Sequence, residues 1–296
     1  MARPATDLFE ERRPFLTGLA YRILGSLAEA EDAVQDTYLK WQGCEHGSIS
    51  NPVGWLTATC TRRCIDMLKS ARRSRVDYVG AWLPEPIQTM TEDTPERAAE
   101  LSSTLSLAFM LMLERLAPKE RAAYLLREIF DQPYADVAAA LNVTETTCRK
   151  LVSRARSRIG REAPGSIVPK ERQDELLEAF QQAIATGNTL RLANLMREDI
   201  ELRTDGGGKA LALLDPLSGK ADVLAFVGGT LNQFWAGYKW QRIDMNGTGG
   251  AIVFDGPNIV ASISLACDGH GSLSGIYIMR NPDKLGRLAD VERMIQ

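Results

Sequence analysis

Charged side chains occur in blocks of one sign along this sequence, and such blocks can bind partners of the opposite charge. Residues 29–36 carry acidic side chains with no basic one among them, whereas residues 62–75 are strongly basic. A second acidic stretch covers residues 77–100, and residues 149–161 form a basic run without an acid. This alternation predicts contact with a polyanion at two separated places and with a basic surface elsewhere. For any single block, a solvated helix face is the alternative.

Composition places the chain among ordinary globular proteins. It has 296 residues, of which 45% are hydrophobic and 25% charged, and this length suits about two or three domains with cores of their own. The N-terminus is charged where a signal peptide needs an apolar stretch, and no apolar run is long enough to span a bilayer. The 5 cysteines are an odd number, which favours reduced thiols over a disulfide framework. We therefore expect a cytoplasmic protein without a membrane segment.

Helices are predicted to position the first acidic block and the first basic block. Ser26 and Glu29 form a capping box that begins a helix with the acidic block on its outer face. Asn51 as N-cap and Pro52 at the first helical position begin the next helix, whose outer face is basic. Together with an amphipathic helix that precedes Ser26, these elements predict an all-α domain over residues 1–76.

The segment that follows this domain changes character. The run Trp82-Leu83-Pro84-Glu85-Pro86 cannot continue a helix, and the polar residues up to Pro95 show no period. Residues 77–95 are therefore predicted to be a linker. A helical pattern returns over residues 96–116 and begins a second all-α domain, which covers residues 96–163.

Two helices of the chain are suited to contact nucleic acid. A helix over Tyr134–Leu141, a tight turn and a longer helix begun by Thr144 predict a helix-turn-helix, which places a basic helix in the DNA major groove. Helical hairpins without DNA are common, but the polar side chains of the second helix lie off its buried stripe. In the first domain, Trp41 and Trp55 lie near basic residues, where rings can stack on unpaired bases, although Trp41 suits a core equally well.

The last part of the chain, residues 170–296, is predicted to be an α+β domain. Helices around 170–186, 189–196 and 221–234 accompany apparent strands around 200–204, 238–244, 251–255, 258–267 and 272–280. Turn residues between the last strands predict hairpins and a long antiparallel sheet. The run Asp205-Gly206-Gly207-Gly208-Lys209 is predicted to form a tight turn or an interdomain contact, because it lacks the leading glycine spacing of a phosphate loop and no Ser or Thr follows the lysine.

Other chemistry has weaker support in the sequence. Cys60 and Cys64, with Cys44 and His46 upstream, have the ligand types of a zinc site, but the two helical cysteines continue an apolar stripe and are predicted to be core. His270 falls in a predicted turn, which makes it a poor acid–base group for an enzyme. We expect no metal, no cofactor and no catalytic residue.

Several segments resemble a known family. Leu19-Ala20-Tyr21-Arg22-Ile23-Leu24-Gly25-Ser26 and Ala30-Glu31-Asp32-Ala33-Val34-Gln35-Asp36 resemble the core-binding segment of the sigma-2 domain of bacterial sigma factors. The stretch from Leu113-Glu114-Arg115-Leu116 to Arg154-Ala155-Arg156 resembles the sigma-4 domain. This two-domain form is that of extracytoplasmic-function (ECF) sigma factors. The segments 82–86, 205–209 and 281–285 match motifs of the ECF group that carries a C-terminal SnoaL-like domain of the NTF2-like fold.

The resemblance implies a role for each block of polar residues. Core RNA polymerase, through its β′ clamp and β flap, and promoter DNA are the implied partners. The residues implied to bind polymerase are Asp32, Gln35, Asp36 and Trp41. Those implied to contact the −10 element are Asn51, Trp55, Thr59, Arg62, Arg63, Arg72 and Arg73. Those implied to contact the −35 element are Glu145, Thr146, Thr147, Arg149, Lys150, Ser153, Arg154 and Arg156. Contact between the linker and the C-terminal domain is implied to regulate activity in cis. The residues implied for this contact are Trp82, Pro84, Glu85, Asp205, Gly207, Lys209, Asn281, Asp283 and Lys284.

The expected fold is two all-α sigma domains followed by an α+β NTF2-like domain. The expected function is that of a sigma factor, not an enzyme, whose C-terminal domain regulates it in cis. Two alternatives are a ligand-sensing helix-turn-helix regulator and an NTF2-like isomerase or cyclase fused to DNA-binding helices. An ordinary regulator has no need of the acidic polymerase-binding face, which argues against the first alternative. The sequence leaves open whether the C-terminal domain binds an unidentified small ligand in a cavity.

Overall fold

The chain folds into helices first and a mixed sheet afterwards, and it divides into two units. The computed structural model describes residues 5–74, 77–88, 104–160 and 168–295. The helical unit comprises Met1–Asp77 and Met110–Ala163, and the sheet unit comprises Tyr78–Phe109 and Pro164–Gln296. The helices of both predicted all-α domains thus pack into one unit, and the linker from Tyr78 onward belongs to the unit that contains the sheet.

The N-terminal lobe of the helical unit consists of α1 (Ala5–Leu24), α2 (Leu27–Gln42) and α3 (Pro52–Ser74), with a 3-10 turn at His46–Ser48. The predicted helix starts are confirmed. Ser26 Oγ accepts the Glu29 N–H at 3.4 Å, and Asn51 Oδ1 accepts the Gly54 N–H at 2.9 Å. Because these caps fix where α2 and α3 begin, they also fix which faces of the two helices are exposed.

The helix-turn-helix lobe, defined as Met110–Gly160, follows in the same unit. Its elements are the end of α4 (Leu107–Glu114), α5 (Pro118–Tyr124) with a π-helical turn at Leu125–Ile129, α6 (Tyr134–Leu141) and α7 (Glu145–Ile159). Asn142 ends α6 in the left-handed conformation at φ 52°. Thr144 Oγ1 accepts the Thr147 N–H at 3.3 Å and begins α7. The predicted helix-turn-helix is confirmed.

The predicted continuous helix over residues 96–116 is wrong at Ser106. Residues 96–103 lie outside the described residues, and within the described part the helix is interrupted at Ser106. Ser106 Oγ accepts the Phe109 N–H at 3.3 Å and caps the start of α4. A serine is a better N-cap than helix-interior residue, because its hydroxyl competes for backbone hydrogen bonds.

The sheet unit is built on strands in the order β2-β1-β6-β5-β4-β3. They are β1 (Met196–Asp205), β2 (Leu217–Ser218), β3 (Lys239–Met245), β4 (Thr248–Asp255), β5 (Asn258–Cys267) and β6 (Leu273–Met279). The predicted antiparallel pairing is confirmed from β3 to β6, but it is wrong for β1, which pairs with β6 in parallel. Phe180, Ile200, Ile263 and Ile276 are fully buried in its core. The predicted α+β class is confirmed.

Helices complete this unit. They are α8 (Lys170–Thr186), α9 (Leu190–Leu195), α10 (Lys220–Ala225), a π-helical segment (Phe226–Leu231), α11 (Asn232–Trp235) and α12 (Pro282–Ile295). The predicted helix over 221–234 is therefore three segments. The segment 281–285 is helical from Pro282 onward: Asn281 Oδ1 accepts the Asp283 N–H at 3.1 Å, and Pro282 stands in the first turn of α12.

Candidate functional site

The acidic face of α2 is exposed only in part. Asp32 and Gln35 are exposed, whereas Asp36 is half-exposed and accepts a hydrogen bond from Arg63 Nε at 2.6 Å. Trp41 is only 2% exposed and its ring lies 5.5 Å from that of Trp55. Trp41 therefore packs in the core of the N-terminal lobe and does not form part of the face offered to a partner.

The basic helix α3 presents its predicted DNA-contacting residues unequally. Asn51 caps the helix, and Trp55 and Thr59 are half-buried. Arg62 is exposed, but its guanidinium donates hydrogen bonds to two carbonyl oxygens of α6. Arg63 is paired with Asp36 on the neighbouring helix. The side chains of Arg72 and Arg73 lie outside the described residues.

Helix α7 exposes every side chain that the sequence predicts for base or phosphate contact. These are Glu145, Thr146, Thr147, Arg149, Lys150, Ser153, Arg154 and Arg156. Two of the arginines in this set are held in place. The Arg149 guanidinium lies 4.2 Å from the centroid of the Tyr134 ring, and Arg156 donates two hydrogen bonds to Glu128, at 2.7 and 2.9 Å. Lys150 and Arg154 have no ion-pair partner among the residues that the structure describes.

In the sheet unit, the segment Tyr78–Gln88 contacts the turn after β1 and the start of α12. The Asp205 carboxylate is fully buried and accepts hydrogen bonds from the Tyr78 hydroxyl at 2.5 Å, the Leu83 N–H at 2.8 Å and Lys284 Nζ at 2.7 Å. Lys284 Nζ also donates to the Leu83 carbonyl at 2.7 Å and lies 4.4 Å from the centroid of the Trp82 ring. The structure thus brings together the three segments 82–86, 205–209 and 281–285.

Burial has a direct electrostatic consequence in this contact. It raises the pKa of Tyr78 above its ordinary range, and the hydrogen bond to the Asp205 carboxylate raises that pKa further. Tyr78 therefore stays a hydrogen-bond donor at neutral pH. Its hydroxyl also accepts a hydrogen bond from the Asn281 amide at 2.9 Å, so one hydroxyl joins both ends of the contact.

The other residues predicted to act between the linker and the C-terminal domain lie around the Asp205 carboxylate. Gly207 has φ 58°, and a Cβ at this position would overlap the Asn281 amide, so the turn requires glycine here. Pro84 and Glu85 are buried, and Glu85 pairs with Arg287 at 3.5 Å. Lys209 and Asp283 form an exposed ion pair on the other side of the turn.

A second contact holds the end of the same segment and was not predicted. The Asn246 N–H donates to the Ile87 carbonyl at 2.8 Å, and Asn246 Oδ1 accepts the Ile87 N–H at 3.2 Å. Gln88 forms an antiparallel bridge with Met245 at the end of β3. The pair Asn246-Gly247 is a hairpin signal in the sequence. Nothing local to Asn246 or to Tyr78 indicates that either contacts the linker.

The sulfur side chains do not assemble a metal site. Among the described residues, no group of three or more His, Cys, Asp or Glu side chains could hold a metal ion. Cys60 and Cys64 are fully buried, and burial together with the neighbouring Cys60 raises the pKa of the Cys64 thiol. A thiol with a raised pKa is a poor metal ligand and a poor nucleophile. No helix within the described ranges is long and apolar enough to cross a membrane.

Comparison with known proteins identifies two separate regions of the helical unit. Residues 8–74 match the family model described as Sigma-70 region 2, and residues 106–159 match the one described as Sigma-70, region 4. The ECF RNA polymerase sigma factor SigJ of Mycobacterium tuberculosis is 32% identical over 286 residues, which cover 93% of this chain and 91% of the relative. The probable ECF RNA polymerase sigma factor SigI of the same organism is 33% identical over 187 residues, 62% of this chain and 64% of the relative.

The crystal structure of M. tuberculosis SigJ is similar over nearly the whole chain. It covers 96% of this chain and 98% of its own, with a TM-score of 0.74 and 28% identity. The similarity therefore includes the C-terminal sheet as well as the two helical regions. From its family models, its sequence relatives and its fold, the chain belongs to the extracytoplasmic-function RNA polymerase sigma factors.

Proposed function

We propose that three parts of this chain carry out separate functions of an ECF sigma factor. As a member of that family, the chain binds core RNA polymerase and directs promoter-specific initiation, and the family's members are not enzymes. In the proposal, the α2 face binds polymerase, α3 and α7 contact the two promoter elements, and the sheet unit regulates the protein in cis by holding the linker. The protein would act in the cytoplasm with the polymerase.

The observation that carries the proposal for polymerase binding is the exposure of Asp32 and Gln35 on one face of α2. Asp36 adds a second carboxylate one helical turn from Asp32, and its pairing with Arg63 is half-exposed and thus weak. A partner with basic side chains can compete for Asp36 at small cost. This is the property that a docking face for the polymerase clamp requires.

The arrangement on α7 supports a division between base and phosphate contacts. The Arg149 guanidinium is stacked on Tyr134 and lies near the N-terminal end of α7, where a recognition helix contacts base edges. A guanidinium fork that is already oriented suits the paired acceptors of guanine. Lys150 and Arg154 lie one turn apart on the exposed face, and we assign them to base and phosphate contact respectively.

The contact centred on Asp205 supports regulation in cis. A segment that connects two DNA-contacting regions must adopt a particular path for both to reach a promoter. The buried carboxylate at Asp205 holds Tyr78, Leu83 and Lys284 together, and thereby fixes the path of residues 78–88. Changes that release this segment would alter how the two helical regions are presented to DNA.

An enzymatic role for the sheet unit has no comparable support. His270 is exposed in a turn, where it donates its backbone N–H to Asp268. The rings of Phe180 and Trp235 each pack edge to face against that of Trp240. No part of the proposal therefore depends on a reaction or on a small ligand in this unit.

The binding part of the proposal is tested with the full chain and purified core polymerase. Asp32→Lys should abolish co-purification, because a lysine replaces an exposed carboxylate at the proposed contact. Asp215→Lys makes the same charge change at an exposed position of the sheet unit and should bind like the wild type. Equal binding by both variants would show that α2 is not the polymerase-binding face.

A further inference from the structure

The ring of Tyr134 contacts two arginines of the helix-turn-helix lobe. The Arg149 guanidinium lies 4.2 Å from the ring centroid, and the Arg127 guanidinium lies 5.1 Å from it. Tyr134 is the first residue of α6, Arg149 belongs to α7, and Arg127 belongs to the π-helical turn that precedes α6. One half-buried ring therefore joins three segments of the lobe at the side chain that we assign to base contact.

Each of the two arginines has an acidic partner, which offsets the repulsion between two cations at one ring. Arg127 donates to Asp131 at 2.8 Å and to the Gln132 carbonyl at 3.1 Å. These bonds fix Arg127 to the segment just before α6. Glu145 accepts a hydrogen bond from Arg149 Nη2 at 3.4 Å, and both side chains are more than half exposed. An ion pair that is this long and this exposed holds the guanidinium only weakly.

A ring beneath a guanidinium restrains it without using its hydrogen-bond donors. The cation is attracted to the face of the ring, whereas the N–H groups of the guanidinium point outward in its own plane. A carboxylate such as Glu145 instead occupies donors that a guanine would need. A side chain that is already restrained loses less conformational entropy when it binds. Tyr134 therefore orients Arg149 and leaves its remaining donors available.

The neighbouring cations of α7 are held differently. Arg156 donates from Nε and Nη2 to Glu128, at 2.9 and 2.7 Å, so its donors are engaged within the protein. Lys150 and Arg154 have no ion-pair partner in the described part of the chain, and a mobile cation suits a phosphate as well as a base. Among the exposed cations of α7 that the structure describes, only Arg149 lies over an aromatic ring. It alone combines a restrained guanidinium with available donors.

We propose that Tyr134 is a positioning residue for promoter selection, whose ring holds the Arg149 guanidinium in the orientation that contacts a guanine of the upstream element. The proposal rests on the proposed function, in which Arg149 contacts a base edge. It adds a residue outside the set predicted to touch DNA. Because the ring face does the positioning, phenylalanine should replace Tyr134 and leucine should not.

The selection test uses the full chain with core polymerase on promoters randomised in the upstream element. Arg149→Ala first identifies the base position that Arg149 contacts. At that position, Tyr134→Leu should lower the ratio of binding to the preferred base over the other bases by about three- to tenfold, because ordering a free guanidinium opposes binding to the preferred base only. Tyr134→Met, which is also without a ring, should give the same result if the leucine variant folds poorly.

Two control variants accompany this test. Tyr134→Phe keeps the ring face, so its ratio should stay within about twofold of the wild type. Tyr238→Leu removes a half-buried tyrosine ring from the sheet unit and should leave the ratio unchanged. In the Arg149→Ala background, Tyr134→Leu should cause no further loss of preference, since two residues that act through one contact are not additive.

A measurement without DNA tests the contact itself. The ring should displace the nuclear magnetic resonance signal of the Arg149 Nε–H group, which is assigned by its loss in Arg149→Lys. Tyr134→Phe should retain the displaced signal, and Tyr134→Leu should move it to the position of a free arginine. An unchanged signal in Tyr134→Leu would overturn the positioning.

Failure of the positioning and failure of the proposed function give different results. If Arg149→Ala lowers one base preference but Tyr134→Leu keeps it, the base contact stands and the positioning by Tyr134 is wrong. If Arg149→Ala lowers no base preference, the proposed base contact is wrong, and the role of Tyr134 in selection is wrong with it. If Tyr134→Leu weakens binding to all sequences equally, Tyr134 supports the lobe without setting its selectivity, which also overturns the proposal.

Discussion

Replacing Asp205 by asparagine should release the linker from the sheet unit. The carboxylate is fully buried, and Lys284, its ion-pair partner, is only 13% exposed. Asparagine keeps the shape of the side chain but removes the charge that Lys284 neutralises. Breaking one partner of a buried ion pair costs about 3–5 kcal/mol. Lys284 retains the Leu83 carbonyl and the Trp82 ring, so we expect the lower end of that range.

Hydrogen exchange at the Leu83 amide measures this loss directly, because that N–H donates to Asp205 Oδ2. A cost of about 3 kcal/mol corresponds to roughly a hundredfold faster exchange, at about 1.4 kcal/mol per factor of ten. The Ile87 amide should accelerate less, since Asn246 holds it separately.

The control is Asp283→Asn, which breaks a pair whose two side chains are both more than half exposed. Such pairs contribute about 0–1 kcal/mol, so the Leu83 amide should exchange within a few-fold of the wild-type rate. If Asp205→Asn left the Leu83 amide protected, or if Asp283→Asn exposed it equally, the buried carboxylate would not be what holds the linker.

Three further predictions concern the other surfaces. Reversing both Asp32 and Asp36 to lysine should abolish co-purification with core polymerase while thermal melting shows a loss of only about 0–1 kcal/mol, because the charges are exposed or half-exposed. Lys150→Ala should reduce the binding free-energy preference for one base at one upstream position by about 1–3 kcal/mol, measured in a binding assay on randomised DNA. Equal weakening of binding to all sequences would assign Lys150 to phosphate contact instead. The pKa of Tyr78 lies above its ordinary value of 10.0, so the contact between the linker and Asp205 is stable below pH 10 and weakens as the pH rises further. An ultraviolet difference titration of the wild type against Tyr78→Phe should show one tyrosine that ionises above pH 10. Ionisation of that tyrosine at pH 10 would contradict the contact.

Local signals in the sequence predicted most elements because short-range physics sets them. The caps at Ser26, Asn51 and Thr144 act within three residues, and all three begin helices as expected. The same reasoning failed at Ser106, where a serine inside an apolar helical pattern acts as a cap. Hydrophobic periodicity alone does not distinguish a serine inside a helix from a serine that caps the start of one.

Contacts between distant segments were the part that sequence alone could not supply. The charge of Arg62 predicts an acceptor, but nothing in the sequence indicates that the acceptors are carbonyls of α6. Likewise, the sequence suits Trp41 equally to a core and to stacking on bases, and only packing decides that it is buried. The parallel pairing of β1 with β6 depends on the path of the whole sheet unit. By contrast, the segment containing Leu83 was expected near Asp205 because of the resemblance to a family with three motifs, and the structure brings them together.

Run-off transcription with purified core polymerase on a library of randomised promoters is the most direct test of the central claim. The full chain should direct transcripts from templates that share two short elements at a fixed separation, and Asp32→Lys should lose these transcripts while Asp215→Lys keeps them. Transcripts that share no sequence element, or that core polymerase makes equally well alone, would contradict the assignment of this chain as a promoter-selecting subunit.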